Sequence, residues 1–194
     1  AFSNCEKLTG ITIPAGITKI EDSTFDGCKS LESITIPSGV TSIGNSAFSN
    51  CERLGSIEIP AGVTSIGTNI MRGCSNLRSA TLPADTKTVR QGMFSGCKRL
   101  MNITLPESVT VIEDNAFSSC FDLKELVLPK GLTTIGEDAF SGAGLINIDL
   151  PNGLQSIGTG AFTSMNFTDI VLPDSVTDIG SYAFYCCNKL ERVT

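Results

Sequence analysis

Seven of the eight cysteines in this 194-residue chain occupy one recurring position, three residues after a site that is usually phenylalanine. They are Cys5, Cys28, Cys51, Cys74, Cys97, Cys120 and Cys187. Regularly spaced thiols could form disulfides, bind a metal ion or act as nucleophiles. Alanine and methionine replace the thiol at Ala143 and Met165, so the position favours an apolar side chain. We therefore predict buried free thiols that pack as small hydrophobic groups, with disulfides and metal sites as the alternatives.

The chain has few side chains that are suited to enzymatic catalysis. The chain has no histidine, which removes the usual general base near neutral pH and the partner of a catalytic serine or cysteine. It has no C-x-x-C pair for a zinc site and no glycine-rich phosphate loop. The acidic pairs at 21–22, 113–114 and 137–138 are adjacent residues, which tend to point apart and rarely make a two-carboxylate site. We predict no enzyme, no metal site and no cofactor.

Every proline belongs to one series with a period of 23 residues, which shortens to 22 near the C-terminus. The series is Pro14, Pro37, Pro60, Pro83, Pro106, Pro129, Pro151 and Pro173. A fixed period of this length indicates a solenoid, in which each unit buries its apolar side chains only against its neighbours. The cysteines are therefore expected to lie on about eight stacked 23-residue rungs.

The unit spanning residues 31–53 shows what each rung contains. Apolar residues alternate toward Ile36 and predict a short strand with one buried face. Pro37 ends this strand because proline has no N–H to donate to a ladder. A second extended segment follows, with Ile43 facing inward. Spacings of three and four residues around Phe48 then predict a single tight helical turn. The fold class is thus a mostly β solenoid with parallel sheet on at least one face.

The segment ITIPSGVTSIGNSAFSNC, residues 34–51, resembles the BspA-like, Treponema-type leucine-rich repeat. That family has an L-x-x-I-x-[IL]-P strand followed by V-x-x-I-G-x-x-A-F-x-x-C, and the resemblance covers essentially the whole chain. It implies a surface or secreted protein of bacteria or protozoan parasites, often used for adhesion to host proteins or neighbouring cells. The family defines a scaffold and not a catalytic motif, so no functional residue is carried over from it.

Both ends of the sequence fall inside a unit. Ala1 and Phe2 stand where Ala47 and Phe48 stand, and Thr194 comes two residues before the next expected proline. We expect residues 1–194 to be a single leucine-rich-repeat solenoid taken from a longer array and lacking caps. The terminal rungs would then expose apolar edges that favour end-to-end self-association.

The strand before each proline supplies a candidate partner-binding face. Its outward positions are small and polar in the first four units, and they change character in the later units. The predicted binding residues are Met101, Asn102, Thr104, Lys124, Glu125, Val127, Ile146, Asn147, Asp149, Thr168, Asp169 and Val171. Exposed apolar side chains among polar ones are typical of a protein-binding patch. The alternative is β propensity alone, since valine and threonine favour strands wherever they occur.

A second candidate surface is a basic waist in the middle of the chain. It comprises Arg72, Arg78, Lys87, Arg90, Lys98 and Arg99, with Asp85 as the one acid between them. An anionic glycan or an acidic protein would fit such a surface, although the six side chains fall at different places around the rung. The repeat is least regular here, since Met71 replaces phenylalanine and Arg90 replaces glycine. We interpret these departures as drift, with a functional kink as the alternative.

Composition limits the possible partners. The net charge is −6 and no aromatic residues lie among the basic ones, which argues against nucleic acid. No apolar run approaches the roughly 18 residues of a membrane span. Together with these limits, the family resemblance implies an extracellular or cell-surface, non-catalytic module that binds a protein, such as a host extracellular-matrix or cell-surface protein. Anionic glycan binding at the basic waist and a purely structural stalk are the alternative functions.

Overall fold

The structure, a computed structural model, describes residues 1–194 as a stack of short parallel strands that repeats every 22 or 23 residues. The predicted solenoid is confirmed, with no helix anywhere in the chain. We number the units one to eight by their prolines. The segment before each proline forms the first face of the stack, and the segment after it forms the second face.

The second face carries one strand in every unit. These strands are β1 (Lys19–Ile20), β2 (Ser42–Ile43), β4 (Ser65–Ile66), β6 (Thr88–Val89), β8 (Val111–Ile112), β9 (Thr134–Ile135), β10 (Ser156–Ile157) and β12 (Asp178–Ile179). They form a three-stranded sheet in the order β1-β2-β4 and a five-stranded sheet in the order β6-β8-β9-β10-β12. Within each of these two sheets, every strand pairs in parallel with its neighbour one repeat away, so Ile20 lies opposite Ile43 and Ile43 opposite Ile66.

The first face is paired less continuously. Its strands are β3 (Ser56–Glu58), β5 (Ser79–Thr81), β7 (Asn102–Ile103), β11 (Asp169–Ile170) and β13 (Arg192–Val193). They form the sheets β3-β5-β7 and β11-β13, with one isolated parallel bridge between Thr12 and Thr35. Parallel sheet was predicted on at least one face, and the structure has it on both. The more regular sheet follows the proline.

Each proline begins a turn that joins the two faces. The carbonyl oxygen of Pro37 accepts a hydrogen bond from the N–H of Val40 at 3.0 Å, and the other seven prolines do the same with the residue three positions on. A proline at this place loses nothing, because its missing N–H has no ladder partner to satisfy. The predicted role of proline at the strand end is therefore confirmed.

The other corner, around Phe48, consists of linked turns and not of the tight helical turn expected from the spacing. Ser46 and Asn50 both have positive φ, at 52° and 57°, and equivalent positions in other units repeat this pair with serine, asparagine, aspartate or glycine, or with Tyr182 and Cys186 in unit eight. Left-handed residues four apart interrupt any helical run. Alternate N–H groups instead reach the next rung, as from Phe48 to the carbonyl of Ile70 at 2.9 Å.

The interior is a set of side-chain columns in which the same residue type repeats from rung to rung. Phe25 and Phe48 stack with ring centroids 5.5 Å apart and planes 4° from parallel, and Phe117 and Phe140 stack in the same way. Met71 interrupts the column and is fully buried. Its flexible thioether fills the place of a ring, in keeping with the interpretation of this unit as drift.

The cysteine column is a ladder of free thiols. Cys28, Cys51, Cys74, Cys97 and Cys120 are buried. Each thiol donates a hydrogen bond to the carbonyl oxygen of the phenylalanine position one rung back, as from Cys120 Sγ to Phe94 O at 3.2 Å. Burial raises the pKa of the Cys28 thiol to about 11 and that of Cys120 to about 12. The prediction of buried free thiols is confirmed for these five, whereas Cys5 in the first rung is exposed and Cys187 in the last is half-buried; Cys186, outside the column, is exposed.

A glycine after most second-face strands lets consecutive rungs approach closely. A Cβ on Gly136 would lie 2.7 Å from the backbone nitrogen of Asp114, and one on Gly67 would lie 2.6 Å from that of Asn45. Glu113 occupies the same position and keeps its ladder bond to Val89 O at 2.9 Å. Its carboxylate turns back and accepts hydrogen bonds from Arg90 and from the N–H of Gln91. A side chain that accepts no such hydrogen bonds would have nothing to offset the close contact of its Cβ with the backbone of the preceding rung.

Thiol labelling tests the cysteine ladder. In native protein under reducing-agent-free conditions, a thiol-reactive chromogenic disulfide should label Cys5 and Cys186 rapidly, because these two are exposed. The five buried thiols should react only after denaturation, since burial disfavours the reactive thiolate. Rapid labelling of the buried thiols, or fewer than eight reactive thiols in denaturant, would contradict the ladder. A Cys5→Ser, Cys186→Ser double variant is the control and should show little fast reaction.

Replacing Gly136 by alanine tests the close approach of rungs. We expect Gly136→Ala to lower the free energy of unfolding by about 1–3 kcal/mol, because overpacking displaces backbone. Gly131→Ala is the matched control, since a Cβ there meets nothing nearer than Glu107 O at 4.0 Å. Guanidinium unfolding of both variants measures the difference. Equal midpoints would show that the glycine column does not limit rung spacing.

Candidate binding faces

All twelve residues predicted for the partner-binding face are exposed on the first face of units five to eight. Asn102 and Asp169 lie in strands β7 and β11, and the other ten lie in extended chain outside any strand. The exposed apolar members are Met101, Val127, Ile146 and Val171, with fractional exposures of 47%, 85%, 57% and 65%. Met101 and Ile146 share one position of the repeat, and Val127 and Val171 share another. The apolar side chains therefore alternate between two columns.

The first face loses its backbone ladder within this region. No backbone hydrogen bond joins residues 101–105 to residues 124–128, and none joins residues 145–149 to residues 168–172. Between units six and seven a single bond remains, from the N–H of Ile146 to the carbonyl of Lys124 at 3.3 Å. On the opposite face of the same rungs, the sheet β8-β9-β10-β12 is continuous. The interruption is therefore confined to the first face.

The length of the repeat changes within this region. Two residues separate Cys120 from Leu123, whereas one residue separates Ala143 from Leu145 and Met165 from Phe167. Units seven and eight thus enter the first face through a connection one residue shorter, but β11 of unit eight still pairs with β13, which follows a full-length connection, so the length alone does not prevent pairing. The change of proline spacing from 23 to 22 was the signal for this feature. Unit six has the full-length connection, and nothing in its sequence pattern explains its separation from unit five.

A groove of about 1080 Å³ lies on the first face over units four to six. We call it the first-face groove. Five of the predicted residues line it, namely Met101, Asn102, Thr104, Glu125 and Val127. The other seven lie outside it. Buried leucines, including Leu105 and Leu126, contribute to its wall, and the charged residues that line it are Glu107 and Glu125. The sequence pattern did not reveal Glu107 or the leucines as parts of a surface.

Asp169 is already paired within the chain. The guanidinium of Arg192, on the neighbouring strand β13, donates a hydrogen bond to its carboxylate. This hydrogen bond holds the pKa of Asp169 below its usual range. Both side chains are exposed, so the pair is screened by solvent and contributes little to stability. A partner that contacts Asp169 would have to compete with Arg192.

The six residues of the basic waist do not converge. Arg72 lies in the phenylalanine corner, Arg78 on the first face, Lys98 and Arg99 on the connection, and Lys87 and Arg90 around the second face. Arg90 pairs with Glu113 at 2.7 Å. Lys87 and Arg90 line a common cavity of about 450 Å³, which Asp85 also lines. The waist is therefore a dispersed charge distribution, and it offers no single cluster of cations to an anionic ligand.

That smaller cavity marks the one break in the second-face ladder. Strands β4 and β6 are not paired, and no backbone hydrogen bond runs from residues 87–90 to residues 64–67. The corner next to this break keeps its bonds, as from the N–H of Asn69 to Gln91 O at 2.8 Å. Arg90 stands where unit three has Gly67 and unit five has Glu113. The irregular unit thus opens the sheet without interrupting the stack.

The sequence matches a family model described as BspA type leucine rich repeat region, with six copies over residues 1–124 and 110–194. No curated protein matches the chain. Among solved structures, a leucine-rich repeat protein from Bacteroides ovatus is 36% identical over 100% of this chain and 50% of its own, with a TM-score of 0.95. The Treponema pallidum leucine rich repeat protein is 26% identical over 95% of this chain and 79% of its own, with a TM-score of 0.73.

A leucine rich cell surface protein from Faecalibacterium prausnitzii is 27% identical over 99% of this chain and 55% of its own, with a TM-score of 0.66. This chain thus spans about half the length of the Bacteroides and Faecalibacterium proteins. The repeat pattern, the columns of stacked phenylalanine and cysteine, and the match over essentially all 194 residues agree. The chain belongs to the BspA-type leucine-rich repeat family.

Proposed function

We propose that this chain is a non-catalytic protein-binding module of a cell-surface or secreted protein, and that it binds its partner through the first face of units five to eight. The observation that carries the proposal is the row of four exposed apolar side chains on that face, Met101, Val127, Ile146 and Val171. Polar and charged residues separate them. An apolar group with a polar surround is the composition of a protein interface.

The arrangement of the face supports this proposal over sheet propensity alone. The equivalents of Val127 in units one, two and four are Thr12, Thr35 and Thr81, and unit three has Glu58. Valine and threonine have similar strand propensity, so propensity does not explain why apolar residues replace polar ones only in the later units. Exposing them to water is unfavourable unless a partner covers them. A binding role accounts for the change.

The relatives support a surface location. The Faecalibacterium protein is described as a leucine rich cell surface protein, and a pneumococcal vaccine antigen, PcpA, is 25% identical over 95% of this chain with a TM-score of 0.53. The chain contains no helix that could cross a membrane. Leucine-rich-repeat solenoids are typically non-catalytic binding scaffolds, which is consistent with a module that recognises a host extracellular-matrix or cell-surface protein.

Binding of the segment to immobilised extracellular-matrix proteins and anionic glycans, at low and at physiological salt, tests the proposal. We expect binding to at least one protein that persists at physiological salt, because apolar contacts are not screened. Glycan binding that salt abolishes would move the site to the basic waist. Absence of binding at both salt concentrations would favour a structural stalk. Either result would overturn the proposed site.

Lysine substitutions locate the site on the first face. Val127→Lys and Ile146→Lys should each weaken protein binding by about tenfold or more, because an interface would have to bury an unpaired charge. Thr35→Lys is the matched control, since Thr35 occupies the same position of the repeat as Val127 and is exposed. All three substitutions are on the surface and should leave the unfolding midpoint nearly unchanged. Equal loss with Thr35→Lys would show that charge alone, and not this patch, reduces binding.

A further inference from the structure

The first-face groove contains backbone groups that the protein does not satisfy. None of the N–H groups of residues 124–128 donates a backbone or side-chain hydrogen bond, and neither does that of Leu105. Leu105, Leu126 and Leu128 are nevertheless buried residues, with fractional exposures of 5%, 8% and 7%. Backbone groups at buried residues in proteins are nearly always paired. The groove therefore presents main-chain donors that are available to an outside partner.

These groups are arranged as the edge of a parallel sheet. On its other side, strand β7 pairs with β5 in register, with Asn102 opposite Ser79 and Ile103 opposite Ala80. Toward unit six the ladder stops. An extended peptide lying along this edge can supply main-chain carbonyl and amide groups at the strand repeat, which is the mode called β-strand addition. Folded surfaces with protruding side chains offer no such continuous backbone.

The side chains of the groove restrict the chemistry of that peptide. Met101 and Val127 are the exposed apolar side chains of the groove, and they would give apolar contacts to the side chains of an extended chain that face them. Glu107 and Glu125 are the charged residues that line the groove, and no lysine or arginine lines it. Charge complementarity therefore favours a basic ligand. The nearby Lys124 is turned away, since its ammonium donates to Phe121 O at 2.7 Å.

We infer that the first-face groove binds an extended segment of a protein partner in which apolar residues alternate with lysine or arginine, by main-chain pairing with residues 101–105 and 124–128. This inference rests on the proposed function and specifies its binding mode. The segment adds a strand where the ladder of the solenoid is interrupted. Its apolar side chains cover Met101 and Val127, and its cations lie near Glu107 and Glu125.

Selection of a phage-displayed library of random decapeptides on the 194-residue chain tests the inference. We expect enriched sequences that alternate apolar residues with lysine or arginine. A synthetic peptide of the enriched sequence is then the probe in fluorescence anisotropy. A copy of the peptide that is N-methylated at alternate residues should bind at least tenfold more weakly, because its methylated amides cannot donate main-chain hydrogen bonds along one edge of the peptide. No enrichment, or equal affinity of the N-methylated copy, overturns the inference.

Charge variants and amide exchange give independent readouts with the same peptide. Glu125→Lys should weaken peptide binding by about tenfold, and Glu58→Lys, an exposed carboxylate on β3 outside the groove, should change it by less than twofold. Amide exchange should slow in residues 101–105 and 124–128 and stay unchanged in β8 and β9. Slowing confined to other residues, or equal effects of the two variants, places the peptide elsewhere and overturns the inference.

The same variants separate this inference from the proposed function. If no peptide binds while Val127→Lys still abolishes binding to an immobilised protein, then the strand-addition mode is wrong and the first-face site stands. If peptide binding fails and the lysine substitutions on the first face have no effect on protein binding, both are wrong.

Discussion

Hydrogen bonding between consecutive rungs is the interaction on which the rest of this structure depends. The chain forms 104 backbone hydrogen bonds, of which 9 lie within its strands, so most of the pairing comes from turns and corners. No rung can satisfy its backbone or cover its apolar side chains alone. Each requires a neighbour at the spacing of one strand. This constraint explains why the strands are only two or three residues long and yet hold a continuous core.

The same spacing fixes which residues can recur. A side chain at one position of the repeat lies directly over its equivalent in the next rung, so the column must tolerate self-contact at about 4.8 Å. Phenylalanine rings do so by stacking, at 5.3 to 5.5 Å between centroids in the regular units. Cysteine does so because its thiol reaches a carbonyl of the preceding rung and not the neighbouring sulfur. Glycine does so by having no side chain at the closest approach.

The candidate binding surfaces lie where units depart from the regular repeat. Arg90 opens the second face between β4 and β6 while the core continues beneath it. On the first face, the loss of pairing beyond β7 coincides with the exposure of Met101, Val127, Ile146 and Val171. Strand β3 is likewise unpaired with unit two, but the outward residues there are small or polar. The interrupted region provides both apolar side chains and unpaired backbone at one place.

The sequence by itself determined the solenoid, the role of proline, the inward residues and the buried thiols, because a repeat imposes the same local environment on every copy. The exposure of the twelve residues on the first face agrees with the repeat pattern, although adjacent exposed residues such as Met101 and Asn102 depart from strict strand alternation. Only the tertiary structure decided that the second face carries the more continuous sheet and that the phenylalanine corner is built of left-handed turns. It also decided where the first-face ladder stops between units five and six. These features depend on small displacements between adjacent rungs, and such displacements are set by packing across the whole rung and not by the residue pattern of any one unit.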